Sequence, residues 1–470
     1  MTDPVLAFCL ADRDAFLARL TALIREPSVS TDPAFEAGME GARRLLETRL
    51  KAAGFQKVRR LDAGGHPALY AEWLDAPVRP TFLVYGHYDV QPPDPVDRWV
   101  SPPFEPTVRD GRLYGRGASD DKGPASIAID ALAAFLAVEG ALPVNVKILI
   151  EGEEEIGSAS LPGLLARHRD LLGADAVISA DGARWRPDLD TVNVGCRGTG
   201  GLEITFRTAK KPLHSGRYGG IVPNALHDMA RLIAGLHDRD GRIAVAGFYD
   251  GIEAPTDEER AAIAAIPFDE PSLFASLGTE QRGEAGFSAL ERLWLRPTLD
   301  VNGLWGGYQG TGDMTVIPNE AYAKITMRLV PGQDPARVRA AVESHLTASC
   351  PSGATIEMSS NRGWTAAYEL PVDHPLLLAV EHALAEPTGE PPLRVRIGAS
   401  LPLTEIVKCT LGIDTVMFSF GIADEDFHAP NEFFRLSSID EGFRGWVALL
   451  RRLGTQTPAD YAAFRSDVGR

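Results

Sequence analysis

VNVKILIEGEEEIGS, residues 144–158, is the stretch whose reading decides the fold. Its first half is a short apolar run with branched Ile148 and Ile150, the pattern of a buried strand. The run leads straight into Glu151, Glu153, Glu154 and Glu155, and then a glycine. Adjacent carboxylates repel one another, so keeping them at the end of a buried strand is costly. Two uses fit: a solvated acidic loop tip, or carboxylates held by a cation or sharing a proton.

The same pattern recurs outward from there. TFLVYGHYDV (81–90) is an apolar run that ends in His87 and Asp89. These two residues are two apart, so in extended backbone they point the same way. A carboxylate beside a histidine fixes its tautomer, the usual support of a metal-binding imidazole; a surface His–Asp pair reads the same way. ADAVISADG (174–182) is another apolar run, followed by Asp181. GIDTVMFSFGIADEDFHAPNEF (412–433) is a third, followed by His428. Helical patterns lie between the runs, at about 12–54, 123–139 and 161–172. The fold class expected is therefore α/β, an open mixed sheet flanked by helices. Ligands of such sheets gather outside the carboxyl ends of the strands. His87, Glu154, Glu155, Asp181 and His428 all converge there, and their residue types make a His/carboxylate metal site for one ion or a pair. Asp120 and Asp121, in GRGASDDKG (115–123), precede a helix. They read either as a helix cap or, for Asp120, as a carboxylate bridging two ions. The GRG turn is no nucleotide loop, since it lacks the GK[ST] ending and the strand–GxGxxG–helix setting.

The middle of the chain changes character. GLEITFRTA (201–209) alternates, NALHDMARLIAGLHD (224–238) is amphipathic with Asn224 as its N-cap, and two strands, a helix and a strand follow. The order β-α-β-β-α-β is the ferredoxin-like arrangement, interrupted by an acidic helical excursion at about 250–293. The expected division is a discontinuous α/β domain, 1–197 and 369–470, with an inserted α+β domain, 198–368. A hinge is expected near the glycines of 198–201.

Composition bounds the rest. The chain has 470 residues, 44% of them hydrophobic, and a net charge of -17. That charge argues against nucleic acid and anionic membrane surfaces as partners. The start, MTDPVLAFCLADRD, has no signal-peptide pattern. Cys9, Cys196, Cys350 and Cys409 are scattered, as reduced thiols of a cytoplasmic protein would be.

Taken together, GHYDV, YGRGASDDKG, EGEEEIGS, Asp181 and FHAPNE resemble the co-catalytic zinc metallopeptidase family of carnosinases, cytosolic non-specific dipeptidases, aminoacylases and succinyl-diaminopimelate desuccinylase. RWVSPPFEPTVRDGRLYGRGASDDKG (98–123) and TVIPNEAYAKITMRLVP (315–331) are most similar to the dipeptidase branch. The resemblance implies two divalent ions, Zn²⁺ or Mn²⁺, one held by His87 and Asp181, the other by Glu155 and His428, with Asp120 bridging. It implies Asp89 as orienter of His87 and Glu154 as general base for a metal-bridging hydroxide. It makes the inserted domain a lid and dimerisation domain. His214 would reach the partner subunit's active site, Arg328 would bind the substrate carboxylate, and Thr315 and Ser400 would touch substrate. Glu153 receives no role. The activity implied is hydrolysis of dipeptides or short peptides with a free C-terminus. Hydrolysis of N-acyl amino acids is the alternative within the class, and a non-catalytic binding protein is the alternative outside it.

Overall fold

The apolar runs become the strands of one six-stranded sheet in a computed structural model that describes residues 3–62, 64–360 and 363–468. Its order is Gln56–Leu61, Ala68–Trp73, Asn145–Glu151, Thr81–His87, Ala176–Ser179, Thr415–Met417. The last four run parallel, and the first two are antiparallel additions at one edge. Ile148, Leu149 and Ile150 are almost wholly buried, because a central parallel strand is covered on both faces. Each such side chain contributes about 1.5–3 kcal/mol by leaving water. The parallel strands carry their carboxyl ends to one edge, and His87 and Glu151 are themselves final strand residues.

Helix Gly123–Glu139 is apolar nearly all round and almost entirely buried, packed against helices Pro4–Ala11 and Leu436–Leu453. Pro124 opens it, and Gly140, at φ 71°, ends it in the left-handed conformation glycine favours. The expected helix at 161–172 is two shorter ones, Leu161–Arg167 and Arg169–Leu172, separated at His168, whose backbone leaves helical geometry.

The chain divides into two compact units. One runs to Val194 and takes in Leu370–Val395 and the chain from Pro402; the other is Gly195–Glu369 with Arg396–Leu401. The second unit contains a four-stranded antiparallel sheet, ordered Thr298–Gly306, Glu320–Leu329, Gly198–Arg207, Thr355–Ser359. With helices Ala225–Ala234 and Pro335–Ala348 this is the ferredoxin-like order. Leu202, Ile204 and Phe206 of one strand and Ala323, Ile325 and Met327 of its neighbour pack with Met229, Val338 and Val342 of the helices. The alternation read from sequence is this one-sided burial. Asn224 caps its helix by accepting the Leu226 N–H at 2.9 Å. The acidic excursion forms helices Asp257–Ala264, Glu270–Leu277 and Ala289–Leu295.

The structure corrects two expectations in this unit. Arg396–Leu401 clusters with it although the sequence reading allots 396–401 to the other domain. Arg197 holds the segment, with its backbone N–H on Ala399 O at 3.1 Å and its Nε on Gly398 O at 2.6 Å. The glycines of 198–201 are not a hinge. They are paired residue by residue with Leu329 to Thr326, and close approach explains them. A Cβ on Gly200 would lie 2.3 Å from the Trp364 ring, and one on Gly198 would lie 2.3 Å from Thr365 O.

Candidate metal centre

At the carboxyl edge of the six-stranded sheet, the five predicted ligands fall into two groups that share Asp120. One is His87, Asp120 and Asp181; the other is Asp120, Glu155 and His428. The ligand atoms of each group lie within 4.8 Å of one another. His87 ends its strand and turns Nε2 to Asp120 Oδ1 at 3.1 Å. His428 brings Nε2 to the other oxygen, Asp120 Oδ2, at 3.0 Å, and to Glu155 Oε2 at 3.3 Å. A carboxylate whose two oxygens each face a different imidazole is disposed to bridge two cations. Asp120 makes no helix-capping hydrogen bond, so the cap reading falls away for it. The separate groups, with N and O donors only, fit first-row divalent ions.

The electrostatics point the same way. Burial, with the charge of Asp120 and Glu155, pushes Asp181 up to about 6. Burial, and then Asp181, Asp120 and Glu155, push Glu154 up to about 9 against the pull of His87. Burial would raise Asp120 too, but the hydrogen bonds with His428 and His87 hold it well below the usual carboxylate range. Hydrogen bonds to Asp120 and Glu155 lift His428 to about 10. Negative charge thus exceeds what the two imidazoles balance, which is the condition a bound cation relieves. The Glu154 carboxylate accepts no hydrogen bond from the described residues, unlike that of Glu155, which takes the Gln91 N–H at 3.1 Å and Gln91 Nε2 at 2.8 Å.

Asp89 lies behind His87, but its main-chain oxygen is the nearer partner. His87 Nδ1 is 3.1 Å from Asp89 O and 3.5 Å from Asp89 Oδ1. The other carboxylate oxygen of Asp89 accepts from Ser30 Oγ at 2.7 Å and from the Glu155 N–H at 3.1 Å. Asp89 therefore touches the supports of both ligand groups.

Glu151 and Glu153 dispose of the solvated-tip reading. Both are buried, and their roles are structural. Glu151 accepts from Tyr85 Oη and from Ser158 Oγ at 2.9 Å. Glu153, to which the sequence gives no role, accepts the His66 N–H at 3.1 Å, the Ser160 N–H at 3.2 Å and the Ser160 hydroxyl.

The predicted substrate residues belong to the second unit. Arg328 Nη1 donates to Ser400 Oγ at 2.8 Å, and Arg328 has no ion-pair partner among the described residues. His214 is exposed on the short strand Leu213–His214, paired with Val316–Ile317. The following residue, Ser215, donates its N–H to Thr315 O at 3.1 Å. Three buried acids to which the sequence reading gave no part in the site, Asp121 (read there as a helix cap), Glu425 and Glu432, hold the loops that carry the candidate ligands. Asp121 Oδ2 accepts the His87 N–H at 3.2 Å, and a Cβ at Gly86 would come within 2.7 Å of that oxygen. A buried acid in the quoted motifs is the one signal that could have found them.

A family model described as Peptidase family M20/M25/M40 matches residues 83–452, most of the chain. The chain belongs to this family. It is a metallopeptidase, and its cofactors are divalent metal ions. Among its relatives is the Beta-Ala-His dipeptidase of Rattus norvegicus, 31% identical over 407 residues, covering 84% of this chain and 82% of the relative. The Cys-Gly metallodipeptidase DUG1 of Saccharomyces cerevisiae is 27% identical over 458 residues, covering 93% and 95%. Among solved structures, an M20 family metallo-carboxypeptidase from Sulfolobus solfataricus superposes with a TM-score of 0.79 at 31% identity, covering 94% of this chain and 99% of that one. No helix among the described residues is long and apolar enough to cross a membrane.

Proposed function

We propose that the protein hydrolyses the amide bond of dipeptides or short peptides with a free C-terminal carboxylate, using two divalent ions, Zn²⁺ or Mn²⁺. The observation that carries this reading is the pair of ligand groups sharing Asp120, with the unpartnered Glu154 beside them. His87 and Asp181 would hold one ion, and Glu155 and His428 the other. Both ions suit imidazole and carboxylate donors. When bound, they would supply Lewis acidity that lowers the pKa of water and polarises the scissile carbonyl.

The chain's own residues do the rest. Glu154, a carboxyl raised by burial, takes a proton from the attacking water and hands it to the leaving amine. Divalent charge nearby brings that carboxyl back toward the neutral range where a general base works best. Asp89 fixes the His87 ring by its main-chain oxygen and the Glu155 backbone by its carboxylate. The Arg328 guanidinium, steadied by Ser400, pairs with the substrate carboxylate through its planar fork. His214 and Thr315 complete the contacts with substrate, His214 from the partner of a homodimer. The dimer reading draws on the second unit, whose edge strand Thr298–Gly306 exposes Val301, Leu304 and Trp305. Four free cysteines suit a cytoplasmic setting.

The test is hydrolysis of a panel of dipeptides, N-acetyl and N-succinyl amino acids by metal-stripped protein, with Zn²⁺ or Mn²⁺ restored. Dipeptide cleavage that returns with metal is the expected result. Cleavage of the N-acyl amino acids alone would move the substrate and keep the chemistry. No cleavage of either set would overturn the reading in favour of a binding protein.

A further inference from the structure

Two wholly buried glutamates flank His428 in sequence, and both reach the turn that carries Asp120. Glu432 accepts four hydrogen bonds: Oε1 from the Ser119 N–H at 2.9 Å and the Asp120 N–H at 3.1 Å, Oε2 from the Gly117 N–H at 2.8 Å and Arg116 Nη1 at 2.8 Å. Glu425 accepts the hydroxyl of Ser119, the Ile422 N–H at 3.0 Å, and the Arg435 N–H at 3.0 Å. Ser119 is thus held twice, by its backbone from Glu432 and by its side chain from Glu425. Burying a carboxylate costs several kcal/mol unless its lone pairs are fully met, and here they are.

The loop between the two glutamates is not one the backbone adopts freely. Asp426, His428 and Asn431 have φ of 55°, 60° and 68°. Each such non-glycine residue costs on the order of 1–2 kcal/mol and persists only when its surroundings fix it. The fixing contacts are visible. Besides the two glutamates, Asn431 accepts the Val100 N–H at 2.8 Å and donates to Arg98 O at 3.0 Å.

We propose that Glu432, with Glu425, is a positioning residue that sets the separation of Asp120 and His428, and so presets the second ion's site before the ion arrives. This rests on the reading of Asp120 and His428 as ligands. Neither glutamate belongs to the two groups of candidate ligands. Each works by tying the loop that bears one ligand to the turn that bears the other, and His428 Nε2 stands 3.0 Å from Asp120 Oδ2 as a result. A buried tie of this kind removes the ordering cost from the binding step and so tightens it.

The experiment is competition titration of the full-length, metal-stripped chain with Zn²⁺ alone against a chelator, read beside thermal unfolding of the same metal-free protein. In Glu432→Gln, the amide NH₂ must face two donors whichever way it turns, the Ser119 and Asp120 N–H groups or the Gly117 N–H and Arg116 Nη1. The expected result is a 10–100-fold loss of affinity for one of two ions, the other unchanged, in a protein that still unfolds cooperatively. Wild-type affinity for both ions, with or without a lower melting temperature, would make Glu432 structural only and overturn the proposal. His428→Ala is the control for the underlying reading: two ions bound at wild-type affinity there would sink the ligand assignment itself. If Glu432→Gln does not fold, Ser119→Ala decides. It removes only the hydroxyl that Glu425 accepts, and the expected loss is several-fold for the same ion; unchanged affinity overturns the proposal.

Discussion

Two clusters of charge in the first unit solve the problem of a buried carboxylate in opposite ways. Beneath the sheet, Asp130 is met by two guanidiniums. Arg19 reaches Oδ2 at 2.6 Å and Arg49 reaches Oδ1 with Nε at 2.8 Å. Arg49 spends a further donor on Ser126 Oγ at 3.0 Å, and Arg19 one on Asp12 at 2.5 Å. Three helices supply these groups, so the charge is closed within the protein and ties the helices together. At the sheet edge, Asp120, Glu154, Glu155 and Asp181 have no cationic partner among the described residues besides His87 and His428. The buried Lys122 does not help, because its Nζ donates to Leu23 O at 3.0 Å and Glu26 O at 2.8 Å. The difference teaches which acids serve stability and which serve chemistry. A cluster that balances its own charge holds a fold, and one left negative holds a place for cations.

The comparison breaks most easily at the edge cluster. Glu154→Gln should lower dipeptide turnover by about 10³–10⁴-fold while leaving metal content intact. Steady-state kinetics beside metal analysis checks this, and wild-type turnover would remove Glu154 from the mechanism. At the balanced cluster the effect should be on stability alone. Asp130→Ala leaves two guanidiniums facing each other and should cost about 3–5 kcal/mol in urea unfolding, with Zn²⁺ affinity unchanged. A matching loss of affinity would mean the two clusters are coupled. Saturating metal, by contrast, should raise unfolding stability by about 3–4 kcal/mol at 100–1,000 times Kd. No gain on adding Zn²⁺ or Mn²⁺ would contradict the open-charge account of the edge.

A buried group outside both clusters sharpens the contrast. His374 lies fully buried, caps helix Pro375–Ala385 by accepting the Leu376 N–H at 3.2 Å, and is pushed down by burial from 6.5 to about 4. The native state therefore binds fewer protons than the unfolded chain. Its contribution is whole above pH 6.5 and is lost as pH falls toward 4, by roughly 3 kcal/mol. Urea unfolding of wild type and His374→Asn across that range reads the difference, and parallel pH profiles would refute it. The smallest effect belongs to Asp12, half-exposed at the rim of the balanced cluster. Asp12→Asn should change stability by less than about 1 kcal/mol. A larger loss would make the rim part of the closed network.

Much of the site was legible because its ligands end apolar strands. His87 closes Thr81–His87, and Glu154 and Glu155 follow Asn145–Glu151, so a continuous apolar run with a polar end marks them in one dimension. Asp120 was legible only as one of two readings, since an aspartate before a helix is more commonly a cap. Glu153 was illegible: its partners His66 and Ser160 lie 87 and 7 residues away.

By itself, the sequence determined the α/β class, the β-α-β-β-α-β order of the middle, and which residue types meet at the sheet edge, because periodicity and strand ends are local properties. Tertiary structure alone decided which carboxylates face outward to ions and which turn inward. Glu151, Glu153, Glu425 and Glu432 differ from Glu154, whose carboxylate accepts none from the described residues, in the hydrogen-bond donors that folding brings to them. Those donors come from 3 to 316 residues away, and no local pattern records the distant ones.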